Sequence, residues 1–220
     1  GGCWDRPMET FIEAADPATG CSSDSATYAI RGYRYSRGWA DNQKVYFYAE
    51  FSKPFETLDI IREDVEIWED QTVNMPTFAK AGFKTEEGEQ VMLKVALSPV
   101  SMEGAYNNMK VESTDWDFDD AVRYADLMWN GALSSIKIET ADEEAKKIFY
   151  TSLYHTMIAP SIFCDTDLSY RGADGKVYSD PGYVTSTTFS LWDTYRAAMP
   201  LYSIFQRHYY EQMINTMLAI

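Results

Sequence analysis

An aromatic side chain and a carboxylate stand next to each other at Trp192 and Asp193, within residues 186–204. The face of an indole ring can cover the apolar C–H surface of a sugar, and a carboxylate can accept hydrogen bonds from its hydroxyl groups. The pair therefore suits carbohydrate binding. In a purely structural alternative, Asp193 caps a helix or forms a salt bridge with Arg196, three residues further on. Residue types alone favour that alternative slightly.

The elements around this pair must place it. Phe189, Trp192, Arg196 and Met199 recur at steps of three and four residues, which predicts one helix with a broad buried face. Before this helix comes a polar loop of about 25 residues, far longer than most connections, and long ordered loops are often functional.

The long loop carries acidic residues in a pattern that invites comparison with a calcium loop. Asp165, Asp167 and Ser169 match the first three ligand positions of an EF-hand, but Tyr170 and Lys176 stand where glycine and glutamate are required. An EF-hand is therefore excluded, and a turn-rich loop that uses Asp and Gly for backbone reasons is favoured.

Arg171, in the same loop, is a candidate ligand-binding residue. Its fixed fork of donors suits a carboxylate or sugar hydroxyl groups.

Other catalytic chemistry finds little support. His155 and His208 are far apart and lack any metal-binding spacing, so a structural role is the better interpretation of both. The sequence has no Gly-x-Ser-x-Gly elbow, P-loop or dinucleotide fingerprint. Paired carboxylates, as glycoside cleavage requires, remain possible, but the sequence does not show which pair would face the substrate.

Composition narrows the class of partner. The 220 residues are 45% hydrophobic and 15% aromatic, enough for packed cores in one large domain or two ordinary ones. A formal charge of -15 argues against nucleic acid and anionic membranes as partners, and it is compatible with a neutral carbohydrate. No apolar run is long enough to span a bilayer, and the first residues do not form a signal peptide.

The cysteine count predicts neither a disulfide framework nor a zinc site. Cys3, Cys21 and Cys164 are odd in number and lack Cys-x-x-Cys spacing. A Cys3–Cys21 bridge and three thiols both remain open.

Strand patterns precede helix patterns along the chain. Residues 1–26 are expected to be irregular, and short strands of an antiparallel sandwich are predicted at residues 28–35, 45–51, 58–61, 66–69, 78–84 and 91–97. This order indicates an α+β chain or two separate domains rather than βαβ units.

The helical part begins with an apolar stripe over residues 118–133, for which Asp115 and Asp117 are plausible caps. A short strand-like piece is predicted at residues 136–139. A Thr140–Glu143 capping box then opens a helix that stops at Pro160. The last helix, from about Tyr209, is still running at Ile220, so the chain is expected to be truncated.

At this point the sequence resembles glycoside hydrolase family 92, the calcium-dependent exo-acting α-mannosidases. Five blocks in the same order carry the resemblance, which runs from Tyr28 to the end of the chain. They are Gly38-Trp39-Ala40 with residues 45–55, Trp129-Asn130 with Ala132-Leu133, residues 148–155, Tyr170-Arg171-Gly172 with Asp174-Gly175, and residues 189–197.

The resemblance implies a β-sandwich followed by a helical linker and an (α/α)6 barrel. Residues 1–102 would be the C-terminal part of the N-terminal sandwich, 103–139 the linker and 140–220 the first helices of a truncated catalytic barrel. Trp192 and Asp193 would line the pocket for the terminal mannose, so substrate binding becomes the favoured interpretation of Asp193. Arg171 is kept as a further substrate-binding candidate.

The implied activity is removal of non-reducing terminal α-linked mannose from N-glycan-type oligosaccharides, with inversion and with Ca²⁺ as cofactor. The family's general acid, general base and calcium-binding residues come later in the barrel. We therefore expect them beyond Ile220, nominate no catalytic or metal-binding residue here, and expect this piece alone to be inactive.

The implied partners are mannose-containing oligosaccharides and the remaining segments of the parent chain, with no nucleic acid and no membrane span. Export to the periplasm or cell surface follows from the family's role. Two alternatives stay open: another (α/α)6 glycosidase or phosphorylase, and a non-catalytic glycan-binding protein of an outer-membrane uptake system.

Overall fold

The computed structural model describes residues 6–24, 27–38, 40–62 and 77–219. The chain forms two compact units, which we call the sheet unit (residues 1–116 and 164–179) and the helical unit (residues 117–163 and 180–220). The predicted domain boundaries at 102/103 and 139/140 stay predictions. Among the described helices, none combines the length and the apolar character needed to cross a membrane.

Before residue 100, the described residues of the sheet unit form two antiparallel sheets, as the alternating patterns predict. A four-stranded sheet has the order β1-β2-β3-β6, and β4 pairs with β5 in a two-stranded sheet. The strands are β1 Arg6–Ala15, β2 Ala29–Arg37, β3 Gln43–Phe51, β4 Thr57–Arg62, β5 Thr77–Gly82 and β6 Leu93–Ser98. The predicted class, antiparallel sheets followed by helices, is confirmed. The strand predicted at residues 66–69 lies outside the described residues.

Strand β1 corrects the expectation that residues 1–26 are irregular. It pairs with β2 from Arg6↔Arg37 to Ala15↔Ala29, with one register shift. Phe11 and Ile12 place apolar side chains on both faces in succession, which hides the two-residue period in the sequence. Pairing with a long neighbouring strand decides the conformation, because β propensity depends strongly on context.

A helix covers part of one face of the larger sheet. α1 Met102–Glu112 begins at the cap Ser101, whose side chain accepts a hydrogen bond from the backbone N–H of Gly104. The buried core between sheet and helix is small-residue rich, which lets the helix approach closely. Its members are Ala15, Ala29, Tyr48, Ala96, Ala105 and Met109.

Residues 164–179, which we call the arm, fold with the sheet unit although the chain before and after them belongs to the helical unit. The arm contains a hairpin of β7 Tyr170–Arg171 and β8 Val177–Tyr178. Its first turn is anchored by Asp165, a buried carboxylate that accepts hydrogen bonds from Ser98 Oγ at 2.8 Å and Asn108 Nδ2 at 2.9 Å.

Asn108 is fully used in this anchor. Its second N–H donates to the carbonyl of Leu97, and its Oδ1 accepts from both the backbone N–H and the hydroxyl of Thr166. An asparagine side chain has two N–H donors and an oxygen with two lone pairs, so no hydrogen-bonding capacity is left over.

The described residues of the helical unit form five helices. They are α2 Phe118–Leu133, α3 Glu143–Thr156, α4 Leu191–Thr194, α5 Ala198–Phe205 and α6 Arg207–Leu218. Its core is formed by Met199, Tyr202 and Met213, against which Phe189 and Tyr210 pack.

The helix caps test the local predictions. Asp117 caps α2 by accepting from the N–H of Asp120, which confirms that assignment. The Thr140–Glu143 capping box is wrong: Asp142 caps α3 by accepting from the N–H groups of Glu144 and Ala145. Aspartate is as good a cap as threonine and stands directly before the helix, so it displaces the predicted pair.

The strand-like piece at residues 136–139 forms no strand. No strand of the described residues offers it a partner, and the carbonyl of Ile136 accepts a hydrogen bond from the Tyr150 hydroxyl instead. Helix α2 is present as predicted, but none of its residues is buried; Phe118 is 72% exposed. The helical unit thus has its elements but little core.

Gly104 provides the first test of the arm anchor. A Cβ at this position would overlap Asp165 Oδ2 and would lie 2.7 Å from Ser98 Oγ. We expect Gly104→Ala to lower the free energy of unfolding of the sheet unit by about 1–3 kcal/mol, as overpacking does, despite the better helix propensity of alanine. Thermal unfolding of the whole protein would measure the change.

The double variant with Asp165→Ala separates overlap from other effects. If the added Cβ overlaps the Asp165 carboxylate, Gly104→Ala must lower the free energy of unfolding less in the Asp165→Ala background than in the wild type. The effects of substitutions at contacting residues are not additive. Equal costs in both backgrounds would refute the proposed contact.

Candidate functional site

The segment that carries Trp192 and Asp193 is not the continuous helix predicted from its period. α4 ends at Thr194, residues 195–197 form a turn, and α5 begins at Ala198. Pro200 explains the break, because in a continuous helix its ring would clash with the carbonyl of Arg196 four residues earlier. In the structure Pro200 lies in the first turn of α5, where proline is tolerated.

The break also changes the burial of the predicted stripe. Met199 is buried and Phe189 packs on the same core, whereas Trp192 is 73% exposed and Arg196 is exposed. Of the four residues predicted to be buried, only the first and the last, Phe189 and Met199, pack on the core.

Asp193 is exposed, and its side chain makes no hydrogen bond or ion pair with the described residues. The salt bridge to Arg196 is absent. The Arg196 guanidinium lies instead over the rings of Trp192 and Tyr195, with its carbon 5.5 Å and 5.2 Å from their centroids. The carboxylate oxygens of Asp193 are thus free to accept hydrogen bonds beside an exposed indole ring.

The chain segment that leads into this site, residues 185–187, is paired with residues 161–163. The backbone N–H of Phe163 donates to the carbonyl of Thr185, and that of Thr187 donates to the carbonyl of Ser161, both at 2.8 Å. We call this short antiparallel ladder, residues 161–163 with 185–187, the stem. The N–H of Ser186 is bound by the Thr216 hydroxyl of α6 at 3.1 Å, which ties the stem to the helical unit.

Arg171 lies in the sheet unit, and its guanidinium is largely occupied. It donates to the carbonyls of Pro99 at 3.0 Å, Gly175 at 2.8 Å and Val100 at 2.8 Å, and to the Tyr46 hydroxyl at 3.4 Å. Four of five guanidinium N–H donors have acceptors within the protein. Substrate binding by Arg171 stays a prediction, and the geometry gives this side chain a role in holding the arm.

Sequence reasoning considered Asp165 only as a position of the rejected calcium loop, and it missed the cluster that Asp165 forms with Ser98 and Asn108. Burial raises the pKa of the Asp165 carboxyl, while the hydrogen bonds from Asn108 and Ser98 act in the opposite direction. Asp165 is separated from Ser98 by 67 positions and from Asn108 by 57. No local period connects residues so far apart, so only the fold reveals the cluster.

The helical unit also contains a solvent-open pocket of about 540 Å³. It is lined by the end of α2, residues 156–162 and the start of α6, and neither Trp192 nor Asp193 belongs to its wall. His208 in that wall is 2.8 Å from the side-chain nitrogen of Gln212.

We searched the described residues for clusters of side chains that could bind a metal ion. No group of three or more His, Cys, Asp or Glu side chains there could hold a metal ion. Cys21 and Cys164 are not joined by a disulfide bond, and Cys3 lies outside the described residues.

Comparison with solved structures gives close matches over nearly the whole chain. One is the family GH92 α-mannosidase BT3965 from Bacteroides thetaiotaomicron, with 31% identity and a TM-score of 0.83 over 98% of this chain and 29% of that chain. The same mannosidase in complex with mannoimidazole matches with 30% identity and a TM-score of 0.82, over 98% and 28% of the two chains.

A third match is the family GH92 inverting mannosidase BT2199 from Bacteroides thetaiotaomicron VPI-5482. It has 26% identity and a TM-score of 0.68 over 88% of this chain and 26% of that chain. Our chain therefore spans less than a third of the length of these structures. A comparison with curated proteins returned no match.

Two family models match the sequence. The N-terminal domain of glycosyl hydrolase family 92 matches residues 13–98, and its catalytic domain matches residues 104–220, more than half of the chain. The catalytic-domain model covers more than half of the chain, and the fold is shared with a family GH92 α-mannosidase at 31% identity. The chain therefore belongs to glycosyl hydrolase family 92.

Proposed function

We propose that the whole protein containing this chain is an exo-acting α-mannosidase that removes non-reducing terminal α-linked mannose with inversion of configuration. The observation that carries the proposal is the exposed Trp192 beside the unpaired carboxylate of Asp193. Two of the matched structures are named α-mannosidase, one of them in complex with mannoimidazole, and a third is named an inverting mannosidase.

Trp192 and Asp193 have complementary roles in this proposal. The indole face covers the C–H surface of the terminal mannose, and the Asp193 carboxylate accepts hydrogen bonds from its hydroxyl groups. Arg196 lies over the Trp192 ring and so does not neutralise Asp193. A charged acceptor contributes about 1.5–3 kcal/mol per hydrogen bond, which suits a residue that fixes one sugar unit.

The acid and base are proposed to come from the rest of the whole protein. Inversion requires two carboxyl groups roughly 6.5–9.5 Å apart, with a water molecule between the base and the sugar. We nominate no such pair in this chain and keep the expectation that the 220 residues alone do not turn over substrate. N-glycan-type oligosaccharides as substrates, and export to the periplasm or cell surface, belong to the same proposal.

We also propose that the whole protein requires Ca²⁺. The described residues provide no group of three acidic or histidine side chains, so they do not fit a calcium site. Hard cations such as Ca²⁺ take six to eight oxygen ligands. The ligands are therefore assigned to the rest of the whole protein, and no step on these residues depends on the ion.

Asp193→Ala in the whole protein tests the sugar-binding role. We expect kcat/KM for α-1,2-mannobiose to fall roughly 10- to 100-fold, because charge-assisted hydrogen bonds to the sugar are lost. Proton NMR would follow the reaction, and β-mannose must be released first if the enzyme inverts.

Asp126→Ala is the matched control, since Asp126 is an exposed carboxylate on α2 that makes no hydrogen bond or ion pair with the described residues. It should leave kcat/KM unchanged. Equal loss in both variants, or α-mannose as the first product, would contradict the assignment. Sugar binding without hydrolysis would favour the glycan-binding alternative, and phosphate-dependent cleavage would favour a phosphorylase.

Chelation tests the calcium requirement separately. We expect a calcium chelator to abolish mannose release by the whole protein, and added Ca²⁺ to restore it. A magnesium salt at the same concentration is the control, because Mg²⁺ demands a smaller octahedral site. Full activity after exhaustive chelation would overturn this part of the proposal without affecting the role of Asp193.

A further inference from the structure

The Trp192–Asp193 pair lies on a short span of chain that begins and ends within one unit. Residues 188–198, which we call the pair segment, run from the stem to the start of α5. The stem, the pair segment, α5 and α6 all belong to the helical unit. The helix inside the pair segment, α4, has four residues, and so short a helix is not stable on its own. The position of the pair therefore depends on how the ends of the segment are held.

The stem presents a backbone N–H group that its own ladder cannot satisfy. Ile162 and Ser186 lie directly opposite each other, and the ladder hydrogen bonds are formed by the residues on either side of them. In an antiparallel pair, residues in such a position direct their N–H and C=O groups away from the partner strand. The N–H of Ser186 therefore requires an acceptor outside the stem.

Thr216 on α6 provides this acceptor. Its hydroxyl oxygen accepts from the N–H of Ser186 at 3.1 Å, and its hydroxyl proton is donated to the carbonyl of Gln212, one turn earlier, at 3.0 Å. The second bond directs the free lone pairs of the oxygen toward the stem. Thr216 is 3% exposed, so solvent does not reach this contact. A side chain without a hydroxyl group here would leave the N–H of Ser186 without its acceptor.

Tyr202 on α5 holds the other end of the pair segment. Its hydroxyl donates to the carbonyl of Thr156, the last residue of α3, at 2.8 Å, and its ring belongs to the core with Met199 and Met213. Burial raises the pKa of the Tyr202 hydroxyl, so the group keeps its proton and remains a donor. The chain after Thr156 leads into residues 161–163, the first strand of the stem. Both ends of the pair segment are thus fixed by buried hydroxyl groups of the same unit.

The exposed pair follows directly on these contacts, since Phe189 packs on the same core and Trp192 and Asp193 come next along the chain. We propose that Thr216 and Tyr202 are positioning residues that hold this pair in place for sugar binding. Neither residue contacts the sugar, and the inference rests on the proposed function. Because the pair binds the sugar in the ground state and the transition state alike, loosening it should raise KM and leave kcat nearly unchanged.

Thr216→Val in the whole protein removes the hydroxyl group and keeps the branched shape of the side chain. Hydrogen exchange followed by mass spectrometry reports on residues 185–197, with α2 as the internal reference, and α-1,2-mannobiose hydrolysis gives KM and kcat. We expect faster exchange in residues 185–197 but not in α2, and a rise in KM on the order of tenfold, as small misplacements produce. Thr85→Val, at an exposed position between β5 and β6, is the matched control and should behave as the wild type.

Two further variants separate the hydroxyl group from the volume of the side chain. Thr216→Ser keeps the hydroxyl and loses only a methyl group, so exchange and KM should stay close to those of the wild type. Tyr202→Phe keeps the ring and loses the bond to the carbonyl of Thr156. It should raise KM and speed exchange in the same residues, and it carries the test if Thr216→Val does not fold.

Several results would overturn the inference. Faster exchange in residues 185–197 with a wild-type KM would show that the two hydroxyl groups serve the fold alone. A raised KM with wild-type exchange, or a loss confined to kcat, would show that they do not act by positioning the pair. A KM in Thr216→Ser as high as in Thr216→Val would assign the effect to side-chain volume.

Calorimetric titration with mannose distinguishes failure of this inference from failure of the proposed function. If the whole protein releases no mannose from α-1,2-mannobiose, weaker mannose binding by Thr216→Val than by the wild type would still support the positioning role. Equal binding by the two proteins would refute that role. Absence of mannose binding by the wild type itself would refute the proposed sugar site, and the positioning role with it.

Discussion

The buried carboxylate of Asp165 is the interaction on which the arm depends. Removing a charged group from water is costly unless it is hydrogen-bonded, and the raised pKa of Asp165 reflects that cost. Ser98 and Asn108 compensate by donating one hydrogen bond each from β6 and α1. Because these donors have fixed partners of their own, the arm cannot shift without leaving several buried polar groups unpaired. The arm is held in position by hydrogen bonds to buried polar groups rather than by the burial of apolar side chains.

The helical unit differs from the sheet unit in that most of its apolar side chains are exposed. α2 carries a full apolar stripe and buries none of it, and large side chains such as Leu127 and Leu218 are 68% and 80% exposed. Helices gain most of their stability from packing an apolar face, and the buried cluster among the described residues of this unit is small, with Met199, Tyr202 and Met213 as its members. The chain spans 29% of the mannosidase structure that it matches at 31% identity.

Features encoded by neighbouring residues were predictable, and features encoded across the chain were not. The alternation in β3 and the Asp117 cap depend on residues a few positions apart, and both predictions are confirmed. β1 depends on pairing with β2, and the Asp165 anchor joins residues 57 and 67 positions apart, so neither leaves a local signal. The break before α5 did leave a local signal, which is Pro200. The three- and four-residue period of the apolar residues nevertheless led to the prediction of a continuous helix.

The exposed Trp192–Asp193 pair is a consequence of the break in the predicted helix. A continuous helix with Phe189, Trp192, Arg196 and Met199 on one buried face would have turned the indole ring into the core. The break at residues 195–197 keeps Met199 in the core and leaves Trp192 in solvent, where Arg196 supports its ring and does not pair with Asp193. The apolar ring and the free carboxylate then face solvent one residue apart. The sugar binding that we propose uses an apolar surface and a hydroxyl acceptor, and the interruption of the helix leaves the first of these, the Trp192 ring, exposed beside the second.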